Sequence, residues 1–539
     1  MLPATKKILV SDLQLTKLFD ASDDDLSLTQ QSLKQATNLI QSGKHSPDGL
    51  LAIAFLIDDK SNAPSLALRC SALLAFVGLR LQFNEHYLQH FVAGAYAAMS
   101  FANAERNRVA AFHQFCQKRQ LDIIQSLLKV AKVASSATPE RYLQENKLTR
   151  EQIWLIIMFC ALNSKASAFT QKIQPAVSRL SSAFHADLGM LVSYPGKFLP
   201  GTAVNVPAGG GYYLYRLSLN TSAVWLTDTN QVVETPCQKL VKADAPTLTL
   251  NRWQTLAARY IEEFKPTTRQ LFPLQYPISR LPADLRSIIT GLQDSNADIS
   301  ALARRIENIP VFAAYLKETA STDNRLQLTV KDVKQAMLTY GMTRVADMLI
   351  LRALSQRLHQ RFFPLMPVFV RLSEVTAAVA SELTVLTKSK QTPQTMALIG
   401  TFSTAPLFTV AGFKTLKRWP KVERQLYNLN SLWKSETQSF SEMSTALARQ
   451  WQQPPLYQGI ISHCGREFRD IPGALKVDTA IISLATMLAR LWLFGVTPDS
   501  ASSKFQQQSY ALLGINDKLI GDIQGQLSPL LWLPYTQRP

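Results

Sequence analysis

The sequence predicts a mainly α-helical chain, in which two helical stretches flank a small antiparallel β module. Three observations carry this. Residues 1 to about 185 hold apolar runs at helical spacing. From Tyr194 to Cys237 the runs become short, β-branched and aromatic, and glycine, asparagine and aspartate bound them. Helical spacing returns near Asn251 and continues to the end. The expected domains are 1–186, helical; 187–248, the β module; and 249–539, helical.

Within the first stretch, Leu51–Ile57, Ala72–Leu81 and Ile153–Leu162 are apolar segments too regular for loops. Ile123, Ile124, Leu127, Leu128 and Val130 fall near one helical stripe. The strand candidates are Ala203–Val206, Tyr212–Leu217, Ala223–Leu226 and Gln231–Glu234, with Gly209-Gly-Gly211 read as a hairpin turn between strands. In the last stretch, Ile299, Leu302, Ala303 and Ile306 follow i, i+3, i+4, i+7. Thr329 and Asp332 fit a capping box ahead of Val330, Val333, Met337 and Tyr340, and Gly341 follows as a stop. Proline-bearing joints near Pro266–Pro277 and Gln452–Pro455 are the expected linker and loop.

The chain has 539 residues, 47% hydrophobic and 18% charged, which excludes a disordered or collagen-like chain. Lys and Arg number 57 against 39 Asp and Glu, a net charge of +18 that favours acidic partners. Five scattered cysteines without a Cys-x-x-Cys pair point to free thiols in a reducing compartment. Met1–Leu15 lacks the apolar core of a signal peptide, and Arg490 interrupts the apolar stretch Ala480–Val496. A spanning helix needs about 20 apolar residues, so no membrane span and a cytoplasmic location are expected.

Several residue groups are candidates for chemistry. His86 and His90 stand four apart, as a metal pair does, but no third ligand is evident, and they read as surface or helix-cap histidines. Asp23-Asp24-Asp25 reads as an acidic first turn complementing a helix dipole. His463-Cys464 lacks an orienting carboxylate and reads as a packed pair. Lys414, Lys417, Arg418, Lys421 and Arg424 form the densest positive stretch, with Phe413 and Trp419 interleaved. Such a segment is a candidate anion-binding site, its aromatics available to stack on a base; a plain solvated surface is the competing reading.

From about Leu271 to Gln526 the chain resembles the HDOD family, bacterial signalling modules descended from HD-type metal phosphohydrolases. The resemblance rests on Ser279-Arg-Leu-Pro-Ala-Asp-Leu285, Ala297–Pro310, Leu328–Gly341 and Ala480–Arg490. It implies a helical core. In active HD relatives the helix corresponding to Ile399-Gly-Thr-Phe-Ser-Thr-Ala-Pro406 carries the metal-binding His-Asp pair. Here those places hold Ser403 and Thr404. Hydroxyls cannot replace an imidazole and a carboxylate as ligands that activate water. Leu81–Phe101 is similar to the helix pair of the HD-GYP phosphodiesterases, with Ala98 and Met99 at the His-Asp places.

The resemblance thus implies HD-like helical bundles that have lost their metal chemistry, with no cofactor. The expected function is a non-catalytic signal-transduction or regulatory protein that binds signalling proteins. Binding of a nucleotide or nucleic acid through the basic surface stands as an alternative, and residual metal-dependent phosphohydrolysis as a second.

Overall fold

The computed structural model describes residues 8–9, 11–12, 14–15, 18, 24–57, 64–102, 104–134, 138–145, 147–180, 185–218, 220–264, 276–294, 296–323, 329–387, 389–419, 424–432 and 438–533. It divides into two compact units, Met1–Leu274 and Gln275–Pro539.

The first unit begins with helices α1 (Asp25–His45), α2 (Pro47–Phe55), α3 (Leu66–Arg80), α4 (Glu85–Ser100), α5 (Arg106–Lys118) and α6 (Asp122–Leu128). Then follow α7 (Ala131–Ala134), α8 (Pro139–Glu145), α9 (Arg150–Asn163), α10 (Phe169–Val177) and α11 (His185–Ser193). Their starts follow local chemistry. Asp24 accepts from the Leu26 and Ser27 N–H groups at 3.2 Å to cap α1, while Asp25 pairs with Arg108 at 2.7 Å. Ser46 caps α2, whose first residue is Pro47. The centre of this bundle is α3, buried along nearly its whole length against α1, α2, α4 and α9.

After α11 the chain forms β1 (Ala203–Val206), β2 (Gly209–Arg216), β3 (Thr221–Leu226), β4 (Val232–Pro236) and β5 (Val241–Lys242). The sheet order is β4-β3-β2-β1-β5, antiparallel throughout. Gly209-Gly-Gly211 is not the hairpin turn expected but the start of β2. A Cβ at Gly211 would lie 2.2 Å from the Trp225 carbonyl oxygen, so the strands approach too closely there for any side chain.

One sheet face packs Leu214, Ala223, Trp225 and Val232 against Ala52 of α2, Leu56 just after it, and α12 (Leu250–Phe264). The other gathers Phe198, Val204, Tyr213, Val224, Leu226 and Leu240. The α12 residues Leu250, Trp253, Leu256 and Ala257 are all buried in this core, and Trp253 Nε1 donates to the Leu214 carbonyl at 3.2 Å. The boundary expected at 248/249 therefore falls inside the first unit. The β module shares its core with helices on both sides in sequence, and the division lies at 274/275.

The second unit contains α13 (Ala283–Gln293), α14 (Ile299–Glu307), α15 (Pro310–Asp323), α16 (Val333–Tyr340), α17 (Met342–His359), α18 (Met366–Leu386) and α19 (Pro393–Thr404). It continues with α20 (Phe440–Gln450), α21 (Pro455–His463), α22 (Lys476–Phe494), α23 (Ser500–Leu513) and α24 (Asp517–Gln526). Leu302, Ala303 and Ile306 of α14 face inward, as their spacing predicts. The start of α16 differs from expectation: Asp332, not Thr329, is the N-cap, accepting from Gln335 N–H at 2.8 Å. Gly341 does close α16, at φ +80°, and also opens α17. The core is α18 packed against α19 and α22. The segment Gly473–Phe494 is long and apolar enough to cross a membrane, yet 78% of its apolar window is buried inside the protein. The mainly α class with one small antiparallel sheet is the class the sequence predicts.

Candidate functional site

Thr392 caps α19 by accepting from Thr395 N–H at 3.1 Å, and Pro393 occupies the first helical position. The helix then runs apolar through Met396, Leu398, Ile399 and Phe402, all fully buried, which places its last turn deep in the second unit. Ser403 and Thr404 stand on that turn. Both are buried, and both hydroxyls are engaged within the protein. Ser403 Oγ donates to the Gly400 carbonyl at 2.8 Å, while Thr404 Oγ1 lies 2.7 Å from Ser373 Oγ of α18. Thr404 also reaches the carbonyls of Gly400 at 3.2 Å and Thr401 at 3.1 Å.

A metal of the HD type needs imidazole and carboxylate donors, and this position offers neither. Among the described residues, no three His, Cys, Asp or Glu side chains lie close enough to hold an ion. The residues present do not fit the metal that the HD resemblance implies.

A buried carboxylate and a buried imidazole of the second unit are committed to other partners. Asp347 of α17 is buried and accepts from Thr395 Oγ1 at 2.6 Å and from Tyr457 OH at 3.2 Å. Burial raises its pKa, against the lowering by those two hydroxyls. His359 of α17 packs on the Phe408 ring, 5.4 Å between centroids, and burial beside Arg352 lowers its pKa to about 4.

In the first unit, Ala98 and Met99 lie in α4 and are buried apolar side chains of the bundle core. His86 and His90 share a face of the same helix, ring centroids 4.7 Å apart. They are half-buried rather than surface groups. Burial and the neighbouring imidazole lower His90 to about 4. His463 and Cys464 are a packed pair: His463 Nδ1 lies 2.8 Å from the Gly459 carbonyl, Cys464 Sγ donates to Ile460, and burial pushes the thiol up to about 12.

The basic segment is not the open cationic patch its sequence suggests. Lys414 is 2% exposed, with Nζ 3.7 Å from the Phe363 ring centroid and donating to the Leu407 carbonyl at 3.3 Å. Burial lowers its pKa to about 7. Phe413 is buried against Phe369 and Phe440, and Trp419 stacks on Phe494 at 4.2 Å. Neither ring is available to a base. Lys417 is half-buried, Arg418 and Arg424 are exposed, and Lys421 lies outside the described residues. An inward lysine and two core aromatics leave a far weaker anion surface than five cations on one stretch would make.

Beside Ser403, a cleft of about 300 Å³, open mouth included, is lined by residues the sequence reading passed over: Asn428, Asn430, Ser441, Ser444 and Thr486, with Tyr427 and Phe440. Arg490 of α22, 1% exposed, holds the adjoining segment through the Leu426 carbonyl at 2.9 Å, the Asn428 carbonyl at 3.3 Å and Ser431 Oγ at 3.4 Å. Scattered neutral polar residues carry no spacing signature, so nothing in the sequence marks this group.

No family model matches the chain, and no curated protein matches it. Solved structures do. An HDOD domain protein of unknown function from Geobacter sulfurreducens aligns at 13% identity and TM-score 0.34, over 49% of this chain and 95% of that one. A "putative phosphohydrolase" from Shewanella amazonensis SB2B aligns at 16% identity and TM-score 0.34, over 47% of this chain and 90% of that one. A "putative signal transduction protein" from Marinobacter aquaeolei VT8 aligns at 16% identity and TM-score 0.32, over 58% of this chain and 73% of that one. The HDOD resemblance read from the sequence and the first of these neighbours name the same kind of domain.

Proposed function

We propose that the protein is a non-catalytic, cytoplasmic signalling or regulatory protein whose second unit acts by binding protein partners. The observation that carries this reading is the pair Ser403 and Thr404. They occupy the places where the HD resemblance puts a metal-binding His and Asp, and their hydroxyls are used up in bonds to Gly400, Thr401 and Ser373. A helix end so bonded supports packing, and its two neutral hydroxyls do not replace the imidazole and carboxylate that such a metal requires. The resemblance to signalling modules supports the partner-binding half of the reading. Nucleotide or nucleic-acid binding through residues 414–424 is the weaker alternative, because Lys414, Phe413 and Trp419 face inward. Residual phosphohydrolysis would need ligands that the described residues do not bring together.

The test is to produce the full chain in medium supplemented with iron and manganese, then measure metal content and hydrolysis of cyclic di-GMP. The expected result is metal well below one ion per chain and no chelator-sensitive turnover. Metal near one ion per chain, with turnover abolished by chelation, would overturn the non-catalytic reading. Cross-linking in the native cell should map protein contacts onto residues 275–539; cross-links confined to the first unit would move the partner surface there.

A further inference from the structure

His86 and His90 stand on the first two turns of α4, four residues apart and so on one face. Their ring centroids lie 4.7 Å apart, and the ring planes cross at 78°. A metal ion about 2.0–2.1 Å from one nitrogen of each imidazole sits about 3.2 Å from each ring centroid. With an angle of about 90–110° at the ion, the centroids then stand about 4.5–5.2 Å apart. The separation in this structure falls inside that range. The crossing angle matters as well, because an imidazole lone pair lies in its ring plane. Lone pairs of crossed rings can meet at one point, whereas those of stacked rings cannot.

The helix around the pair is pinned. Asn84 Oδ1 caps α4 by accepting from His86 N–H at 3.1 Å. Glu85 accepts from Lys44 Nζ at 2.8 Å and Gln41 Nε2 at 3.1 Å, both of α1. Tyr87 OH donates to Glu151 Oε1 at 3.1 Å, and Gln89 Nε2 to Thr37 Oγ1 at 2.6 Å. The spacing of the two rings is thus set before any ligand arrives. Burial and the neighbouring imidazole lower His90 to about 4, so its ring is neutral at pH 7 and no proton has to leave it. Its Nδ1 is buried without a hydrogen-bond partner, so no outer group on that nitrogen locks the tautomer. No third His, Cys, Asp or Glu joins the pair among the described residues. Two imidazoles alone suit borderline transition metals, whereas calcium and magnesium need oxygen ligands. The remaining coordination positions fall to water, which keeps the affinity moderate and the ion exchangeable.

We infer that His86 and His90 chelate an exchangeable divalent ion of the copper, nickel and zinc group on the face of α4. The inference goes beyond the partner-binding reading and does not rest on it, since it concerns the first unit alone. Manganese and iron stand at the weak end of the affinity series for such ligands, so their content and the uptake of zinc or copper are separate readouts.

The experiment is calorimetric titration of the untagged full chain, first stripped with a chelator, with zinc chloride and, separately, with copper sulfate. Saturable uptake of one ion per chain is expected, with a Kd for zinc on the order of 10 µM. His86→Ala and His90→Ala each leave a single imidazole and should weaken binding by about tenfold or more. Should His90→Ala lose its helical circular dichroism, His90→Gln keeps a polar side chain there and should weaken binding likewise. His113→Ala, which removes a histidine of α5, should bind as the parent does. The inference is overturned if neither ion binds saturably up to about 1 mM. It is equally overturned if the variants at 86 and 90 bind like the parent, or if the loss appears in His113→Ala instead.

Discussion

Lys414 is buried over the Phe363 ring with the Leu407 carbonyl as acceptor, and this arrangement sets a definite pH signature. Its folded pKa is lowered from 10.5 to about 7 by burial. The unfolded chain therefore binds more protons between those values, and stability falls as the pH drops through about 7. Replacement by Met keeps the stem's packing and removes the charge. Lys414→Met should raise stability near pH 6 by on the order of 1–3 kcal/mol, the Phe363 face offsetting part of the larger desolvation cost. The gain should shrink toward pH 10, as urea midpoints across that range would reveal. A loss of stability at pH 6 would mean that the contact with Phe363 outweighs the burial of the ammonium. Asp48 of α2 gives the opposite sign in the first unit. It is 1% exposed and accepts from Tyr194 OH at 3.1 Å and Arg216 N–H at 3.0 Å, with Tyr213 and the Arg216 side chain also facing it. Burial raises its pKa from 3.8 to about 7. The folded state then holds the extra proton, so its contribution is lost as pH rises through about 7. Asp48→Asn retains an acceptor for both donors and should raise the melting temperature at pH 8 more than at pH 4. An equal effect at both pH values would show that the carboxyl is ionised throughout.

At the scale of elements, the sequence was legible where one physical signal dominated. The α14 stripe and the inward face of α16 appear as periodicity alone requires, and β3 covers the expected strand Ala223–Leu226. It misled where chemistry depends on what lies across the fold. Lys414 and Arg418 are alike in sequence as cations, yet Lys414 is buried over the Phe363 ring while Arg418 is exposed, and only the three-dimensional packing separates them. Thr329 and Asp332 are both competent caps, and the structure selects the later one. The cleft was illegible because its donors come from the segment 424–432, from α20 and from α22, with no shared period. Gly209-Gly-Gly211 shows a signal read correctly as special and placed wrongly. The glycine is required not by a turn but by the β2–β3 approach, where Gly211 pairs with Leu226. Gly211→Ala should cost about 2–4 kcal/mol, since the obstacle at 2.2 Å is backbone that cannot rotate away. Thermal melts of the first unit's β signal would measure it; a cost below about 0.5 kcal/mol, the scale of a surface substitution, would mean that the strands separate readily there.

For the whole molecule, the position of α12 decides how the chain can be divided. The return of helical spacing near Asn251 would place the cut ahead of that residue, keeping every late helix together. The structure assigns α12 to the first unit, where Leu250, Trp253, Leu256 and Ala257 cover the sheet face formed by Leu214, Ala223 and Trp225. Each such side chain contributes about 1.5–3 kcal/mol or less by leaving water, according to its size, and together they exceed what a marginally stable unit can forgo. A fragment of residues 275–539 should therefore fold alone, with a cooperative melt and helical circular dichroism. A fragment of residues 249–539 carries the same core plus an α12 whose apolar face has lost its sheet, so it should associate at micromolar concentration. Conversely, residues 1–274 should be stable, whereas residues 1–248 should lose the sheet's cover and bind a hydrophobic dye. Sedimentation velocity on the two C-terminal fragments provides the comparison. If 249–539 is the monomeric, cooperative species and 275–539 aggregates, α12 serves the second unit, and the core shared by Trp253 and Leu214 is not what holds the first together.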